Sequence, residues 1–383
     1  MVDRKLSRQL ATYLASFPVV ALLGPRQCGK STLAREFIGD NPEWEYLDLE
    51  RPSDLLKITD VELYFNSIGT KRVCIDEVQL RPDLFSALRS IIDADRREGR
   101  VLLLGSASPH LLQQGSESLA GRISFLELTP FTLSEVRKTV SYKTHWLQGG
   151  FPQSTLSMDP EISLIWREDF IRTFVERDVL PRGVRIDTSQ VKRLFTMCAH
   201  LQGQMFNISK LCEAVGLNRQ TVTSLLSVFE QTFLLRKVET FASNLKKRMV
   251  KAPKIVIRDS GLLHALLGIE TFTDLLGNPI FGNSWEGYAI ENIIAENPRW
   301  NYFFYRTSNG AEIDLVLVKG TRKIAIEFKA TVAPKTCKGF WSALEDIQPE
   351  STWIIIPEGD QYTLKEGVTI ISLEQFLSAG ILG

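Results

Sequence analysis

Long apolar runs are missing from this chain of 383 residues. The longest near the start, residues 17–23, is far below the roughly 20 residues needed to span a bilayer. The stretch before it, with Asp3, Arg4, Lys5 and Arg8, lacks a signal-peptide pattern. Cysteine is scarce. The five residues (Cys28, Cys74, Cys198, Cys212 and Cys337) are odd in number and never in CxxC spacing, which argues against a disulfide framework or a structural zinc site. The four histidines, His110, His145, His200 and His264, are isolated and show no ligand spacing. Charged residues are 23% and aromatics 9%, with no compositional sign of disorder. These absences leave a soluble cytoplasmic protein without a membrane partner, and the length predicts two or three domains.

A net charge of zero conceals an uneven distribution. Residues 191–258 hold twelve Lys or Arg against three acidic residues, a balance of +9, and the rest holds 33 against 42, or −9. A basic central module in an acidic chain is the electrostatic footprint of a nucleic-acid binder. A solvated helical surface is the plainer explanation.

What is present begins as alternating strands and helices. Val19–Leu23, 45–49, 72–75 and 100–104 read as short apolar strands, with a helix over 31–37. Leu84, Leu88, Ile91 and Ile92 recur at helical spacing. This alternation predicts an α/β fold with a mostly parallel sheet. In 191–258, Ile208, Leu211 and Val215 share a helical face, Gly216 breaks it, and Val222, Leu225, Leu226 and Phe229 mark a second helix. Two strands follow, joined by Lys246-Lys247-Arg248, the order of a winged helix-turn-helix. Past Asn283 the pattern is α/β again.

Between the first strand and helix stands Gly24-Pro25-Arg26-Gln27-Cys28-Gly29-Lys30-Ser31, a GxxxxGKS loop followed by Thr32. Its glycines let backbone N–H groups curl around phosphates; Lys30 neutralises β/γ charge, and Ser31 offers an oxygen to Mg²⁺. The expected cofactors are ATP and Mg²⁺. Val73-Cys74-Ile75-Asp76-Glu77 is an apolar strand ending in two carboxylates, 46 residues after Lys30. Asp76 is expected in the Mg²⁺ shell and Glu77 as the base that orients water. Ser106, after the strand at 100–104, is the candidate γ-phosphate contact, with Ser108 as fallback.

This order, continuing through Leu119-Ala120-Gly121-Arg122, resembles an AAA+ ATPase. With Gly149-Gly150-Phe151-Pro152, Phe174-Val175-Glu176-Arg177-Asp178, Arg258-Asp259-Ser260-Gly261 and Trp285-Glu286-Gly287, it is similar to bacterial and archaeal ATPases carrying a C-terminal restriction-endonuclease-like domain of uncharacterised role. The resemblance implies that Arg122 is an arginine finger acting on a neighbouring subunit, with Arg177 as competitor, and so a dimer or ring.

Asp314 opens an apolar strand, and thirteen residues later Glu327-Phe328-Lys329 closes the next. Alternation puts Glu327 and Lys329 on one face. Two carboxylates on adjacent strands can share Mg²⁺ while a lysine activates water. The pattern resembles the PD-(D/E)xK nuclease core, with Ile313 in place of its proline and Glu286 matching an extra acidic ligand. The expected divisions are an ATPase domain at 1–145, a helical extension at 146–190, a winged helix at 191–258 and the nuclease-like domain at 259–383. ATP-driven action on duplex or branched DNA is the function expected, with Asn218, Arg219, Gln220 and Thr223 facing the groove. The alternative is a nucleotide-switched regulator or scaffold whose nuclease-like domain is an inactive binding surface.

Overall fold

In the computed structural model, the residues described are 2–106, 119–179, 187–242, 252–365 and 367–382. They form two compact units, Met1–Phe131 with Gln231–Phe233, and Thr132–Glu230 with Leu234–Gly383. The first closes short of the expected boundary at 145. No helix among the described residues is long and apolar enough to cross a membrane.

The first unit is built on five parallel strands in the order β2-β3-β4-β1-β5: β1 (Val19–Leu23), β2 (Trp44–Asp48), β3 (Arg72–Asp76), β4 (Val101–Gly105) and β5 (Ile123–Glu127). Strands β1 and β4 are buried along their whole length, which is why they are uninterrupted apolar runs. Leu84, Leu88, Ile91 and Ile92 turn the helix Leu84–Ala94 onto this core, as their spacing predicts. Because the strands are parallel, the loops after β1, β3 and β4 emerge at one edge, where α/β sheets bind ligands.

In the second unit the helices Thr188–His200, Ile208–Val215 and Arg219–Gln231 accompany a small sheet ordered β6-β8-β7, with β6 (Gln204–Met205) between the first two helices and β7 (Leu235–Val238) and β8 (Lys254–Ile257) after the third. Both pairings are antiparallel, and the two-residue β6 was too short for its periodicity to show. A six-stranded mixed sheet follows, ordered β13-β14-β12-β11-β10-β9. Its strands are β9 (Asn301–Arg306), β10 (Glu312–Lys319), β11 (Arg322–Phe328), β12 (Ser351–Ile356), β13 (Tyr362–Lys365) and β14 (Val368–Ser372). Alternation along β10 sends Leu315 and Leu317 into one core with Trp285 and Ala289 of the helix Phe281–Glu296. Val316 faces the opposite core with Phe340 and Ala343 of the helix Lys338–Ile347. The β9–β10 register shifts between Ile313 and Val316, a bulge beside Asp314 that re-aims its side chain.

Candidate functional site

The GxxxxGKS loop leaves the carboxyl end of β1 and feeds the helix Lys30–Ile38. Gly24 has no room for a side chain, since a Cβ there would come within 2.1 Å of the Leu128 carbonyl oxygen. Gly29 has a φ of 101°, a left-handed conformation that opens the helix, and beyond its chain neighbours nothing among the described residues lies within 4 Å of where its Cβ would be. That open space beside unpaired helix N–H groups suits phosphate. Lys30 is buried, and its Nζ donates to the carbonyls of Gly24 (3.0 Å) and Pro25 (2.8 Å), so the ammonium is held at the loop. Arg4 steadies the loop from the N-terminal segment, donating to the Cys28 carbonyl at 3.2 Å and that of Thr129 at 2.5 Å. Burial pushes the Cys28 thiol up, so this cysteine packs rather than reacts.

Asp76 ends β3, two strands from β1, and is buried. The Tyr46 hydroxyl donates to its Oδ2 at 2.5 Å and the Glu77 N–H to its Oδ1 at 2.9 Å. Arg35, from the helix after the loop, lies 4.6 Å over the Tyr46 ring. Glu77 adopts a φ of 56°, which turns the chain sharply, and Gln79 Nε2 donates to its Oε2. Burial, aided by the Asp76 charge, raises the Glu77 carboxyl above its ordinary range; the Gln79 hydrogen bond, Lys30 and Arg26 oppose this. Ser106 follows β4, the strand between β1 and β3, and Gly105 is in register with Leu23. Thus Lys30, Ser31, Asp76, Glu77 and Ser106 share one sheet edge, and their chemistry suits a Mg²⁺–nucleotide. Ser108 lies outside the described residues.

Arg122 is elsewhere. It precedes β5, and its carbonyl accepts from the Val19 N–H at the start of β1, the sheet edge opposite the loop. Its guanidinium grips Asp93 through two hydrogen bonds, of 2.6 and 2.9 Å. Arg177 is exposed on the π-helical turn Phe174–Asp178.

In the second unit Asp314, Glu327, Lys329 and Glu286 do converge, around a residue that sequence reasoning missed. Lys254, the first residue of β8, sends Nζ to Glu286 Oε1 (3.0 Å), Asp314 Oδ1 (3.3 Å) and Glu312 Oε1 (3.4 Å). Lys329 pairs with Glu327 Oε1 at 2.7 Å, and the Phe328 N–H donates to Asp314 Oδ2 at 3.0 Å. Burial alone would lower the Lys254 ammonium; Glu286, Asp314 and Glu312 outweigh it and hold it above the ordinary lysine range. Burial raises Glu286 to about 7 against the pull of Lys254, and pushes Glu327 well up. A divalent ion does not fit this donor set, because an ammonium stands between Glu286 and Asp314. Among the described residues no group of three His, Cys, Asp or Glu is arranged to hold a metal. A lysine opening the otherwise apolar run Lys254-Ile255-Val256-Ile257 was the available signal.

The basic segment also turns inward at a second point. Arg236 and Arg258 both bond Glu291 on the helix Phe281–Glu296, Arg236 Nη2 and Arg258 Nε each at 2.9 Å from Oε2. With Lys237, whose Nζ lies 2.8 Å from Glu230 Oε2, at least four of its twelve cations are therefore paired internally. Asn218 accepts from the Thr221 N–H at 2.9 Å and caps the helix Arg219–Gln231, whereas Arg219, Gln220 and Thr223 are exposed. Lys246-Lys247-Arg248 lie outside the described residues.

Two further motifs prove to be one packing knot. The buried Asp259 carboxylate accepts from the N–H groups of Gly150 (2.7 Å) and Leu262 (2.9 Å). A Cβ on Gly149 would fall 2.1 Å from Asp259 Oδ1, and one on Gly261 would fall 2.1 Å from the Gln148 carbonyl oxygen. Beside them His264 bonds the Leu147 carbonyl (2.9 Å) and Ser284 Oγ (2.7 Å), fully buried.

The model of an AAA domain matches residues 16–137, and domains of unknown function match 107–273 (DUF8612) and 281–376 (DUF4143). The uncharacterized protein Rv2008c of Mycobacterium tuberculosis is 37% identical over 380 residues, covering 98% of this chain and 85% of its own. The chain belongs to the family of Rv2008c. Its first unit is an AAA domain of the P-loop ATPase kind. The uncharacterized protein MJ1544 of Methanocaldococcus jannaschii is 22% identical, covering 78% of this chain and 70% of its own. Among solved structures, the Walker-type ATPase PABY2304 of Pyrococcus abyssi aligns with a TM-score of 0.49 at 16% identity, over 70% of this chain and 96% of that one.

Proposed function

We propose that the protein is an ATP-hydrolysing motor or remodeller that binds duplex or branched DNA. The observation that carries this reading is the shared sheet edge of the phosphate loop and the Asp76–Glu77 pair. Bound Mg²⁺ neutralises phosphate charge and draws it toward the leaving group. Residues 24–32 would cradle the phosphates, Lys30 exchanging loop carbonyls for phosphate oxygens. Ser31 and Asp76 would hold the metal, and Tyr46 fixes the Asp76 carboxylate for it. Glu77 would orient water and take its proton, and its raised pKa suits that role. Ser106 would sense the γ-phosphate. Arg122 sits at the edge away from its own loop, so as a finger it serves a neighbouring subunit in a dimer or ring.

DNA binding is supported by the order of three helices and a small sheet, the order of a winged helix, with Arg219, Gln220 and Thr223 exposed at the start of its last helix. The C-terminal domain is proposed as a restriction-endonuclease-like fold that holds rather than cuts, because Lys254 fills its carboxylate cluster. The test is ATP turnover against linear, forked and four-way DNA. Stimulation supports the motor; turnover indifferent to every DNA favours the nucleotide-switched regulator.

A further inference from the structure

We infer that the ammonium of Lys254 is the resident cation of the Glu286–Glu312–Asp314 cluster, making it a metal-free joint between the small sheet and the six-stranded sheet. An ammonium has three N–H donors, and three carboxylate oxygens lie 3.0 to 3.4 Å from this one. Mg²⁺ needs oxygens at about 2.0–2.1 Å in octahedral array. It cannot share the centre with a second positive charge.

Lys254 is not a surface side chain free to swing aside. It is 3% exposed, its backbone is paired with Met205 on one side and Val238 on the other, and Nζ lies 5.4 Å from the centre of the Phe304 ring. Withdrawing the ammonium therefore means moving the central strand of the small sheet. The other polar groups of the cluster are committed as well. Lys329 holds Glu327 Oε1, and the Phe328 N–H holds Asp314 Oδ2. Glu327 Oε2 stays buried without a partner among the described residues, and a single oxygen does not make a metal site.

The Arg236–Glu291–Arg258 clamp joins the same two sheets through the helix Phe281–Glu296. Cations of the basic segment thus do fastening work at two points. Removing one partner of such a buried set strands the others as uncompensated charge, which is how the joint enforces its geometry.

The inference rests on the nuclease-like reading only for where a metal would be sought, and its test uses neither DNA nor nucleotide. Mn²⁺ binding to the full chain is read by the loss of the free-ion EPR signal. Wild type and Asp314→Asn should bind the same amount, and one extra Mn²⁺ in wild type would overturn the inference. Lys254→Met should gain a Mn²⁺ site that is lost again when Asp314→Asn is added. A folded Lys254→Met that gains no site would also overturn it. If that variant does not fold, the comparison of wild type with Asp314→Asn decides alone. A protein that fails to be stimulated by DNA yet behaves as described loses its proposed function and keeps this joint.

Discussion

The hydroxyl of Tyr46 lies 2.5 Å from Oδ2 of Asp76, so the carboxylate expected to hold Mg²⁺ is oriented by the neighbouring strand. Tyr46→Phe removes a hydrogen bond to a charged group, a contribution of about 1.5–3 kcal/mol. Turnover should fall roughly tenfold or more, since about 1.4 kcal/mol is one decade in rate. Steady-state ATPase assays over a Mg²⁺ titration check this; an unchanged rate at every Mg²⁺ concentration removes Tyr46 from the site.

Glu77→Gln should keep nucleotide binding and lose hydrolysis by roughly 10²-fold or more. In the wild type the acid limb of the rate profile should lie above the ordinary glutamate value of 4.5, because burial raises this carboxyl and only its ionised form accepts a proton. Gln79→Leu removes a hydrogen bond that lowers Glu77, so it should move the limb to still higher pH. Movement to lower pH would contradict the assignment.

Arg122→Ala should bind ATP but turn it over poorly. Mixed with Lys30→Ala, it should recover activity, because one subunit then supplies the finger and the other the loop. Asp93→Asn frees the guanidinium and should raise turnover at low protein concentration. If no mixing ratio restores activity, Arg177 becomes the candidate or the enzyme works as a monomer.

Arg219→Ala should weaken DNA binding and flatten its salt dependence by about one unit of slope. Asn218→Ala should act through helix stability instead, with a loss of about 1 kcal/mol from its cap. Fluorescence anisotropy across a salt series, paired with urea unfolding, separates the two.

Two buried groups, His264 and Asp259, give opposing pH dependences. Burial lowers His264 from 6.5 to about 4, so between those values the unfolded chain takes a proton the folded chain refuses, and stability falls as pH falls. Burial raises Asp259 from 3.8 to about 6, so over nearly the same window the folded chain takes the proton first, and stability rises as pH falls. Each effect is about 3 kcal/mol, and they nearly cancel. Relative to wild type, His264→Asn should gain stability from pH 6.5 to 4 and Asp259→Asn should lose it. Equal slopes in all three proteins would refute these two contributions.

The central strands β1 and β4 were legible because they are buried along their whole length and therefore continuous in apolar residues, whereas the half-exposed edge strand β5 left no such run. The phosphate loop and the Asp76–Glu77 pair were legible because their chemistry demands residues adjacent in sequence. Tyr46 was not, since only strand register brings it to Asp76 from 30 residues away. Lys254 was hidden for a related reason: it was counted in a basic surface, and burial among distant carboxylates leaves no local pattern. Asn218 was assigned to DNA because capping and groove contact draw on the same polar residues at helix starts.

The knot of Gly149, Gly261 and Asp259 has a consequence for genetics. Two backbones press against neighbours with no space for even a methyl group. A saturation library selected for folded protein should therefore come back empty at these glycines, and nearly so at Asp259. That tally would look like the fingerprint of a reaction centre. Here it would record steric exclusion alone, and only a stability readout free of ATP and DNA would tell the two apart.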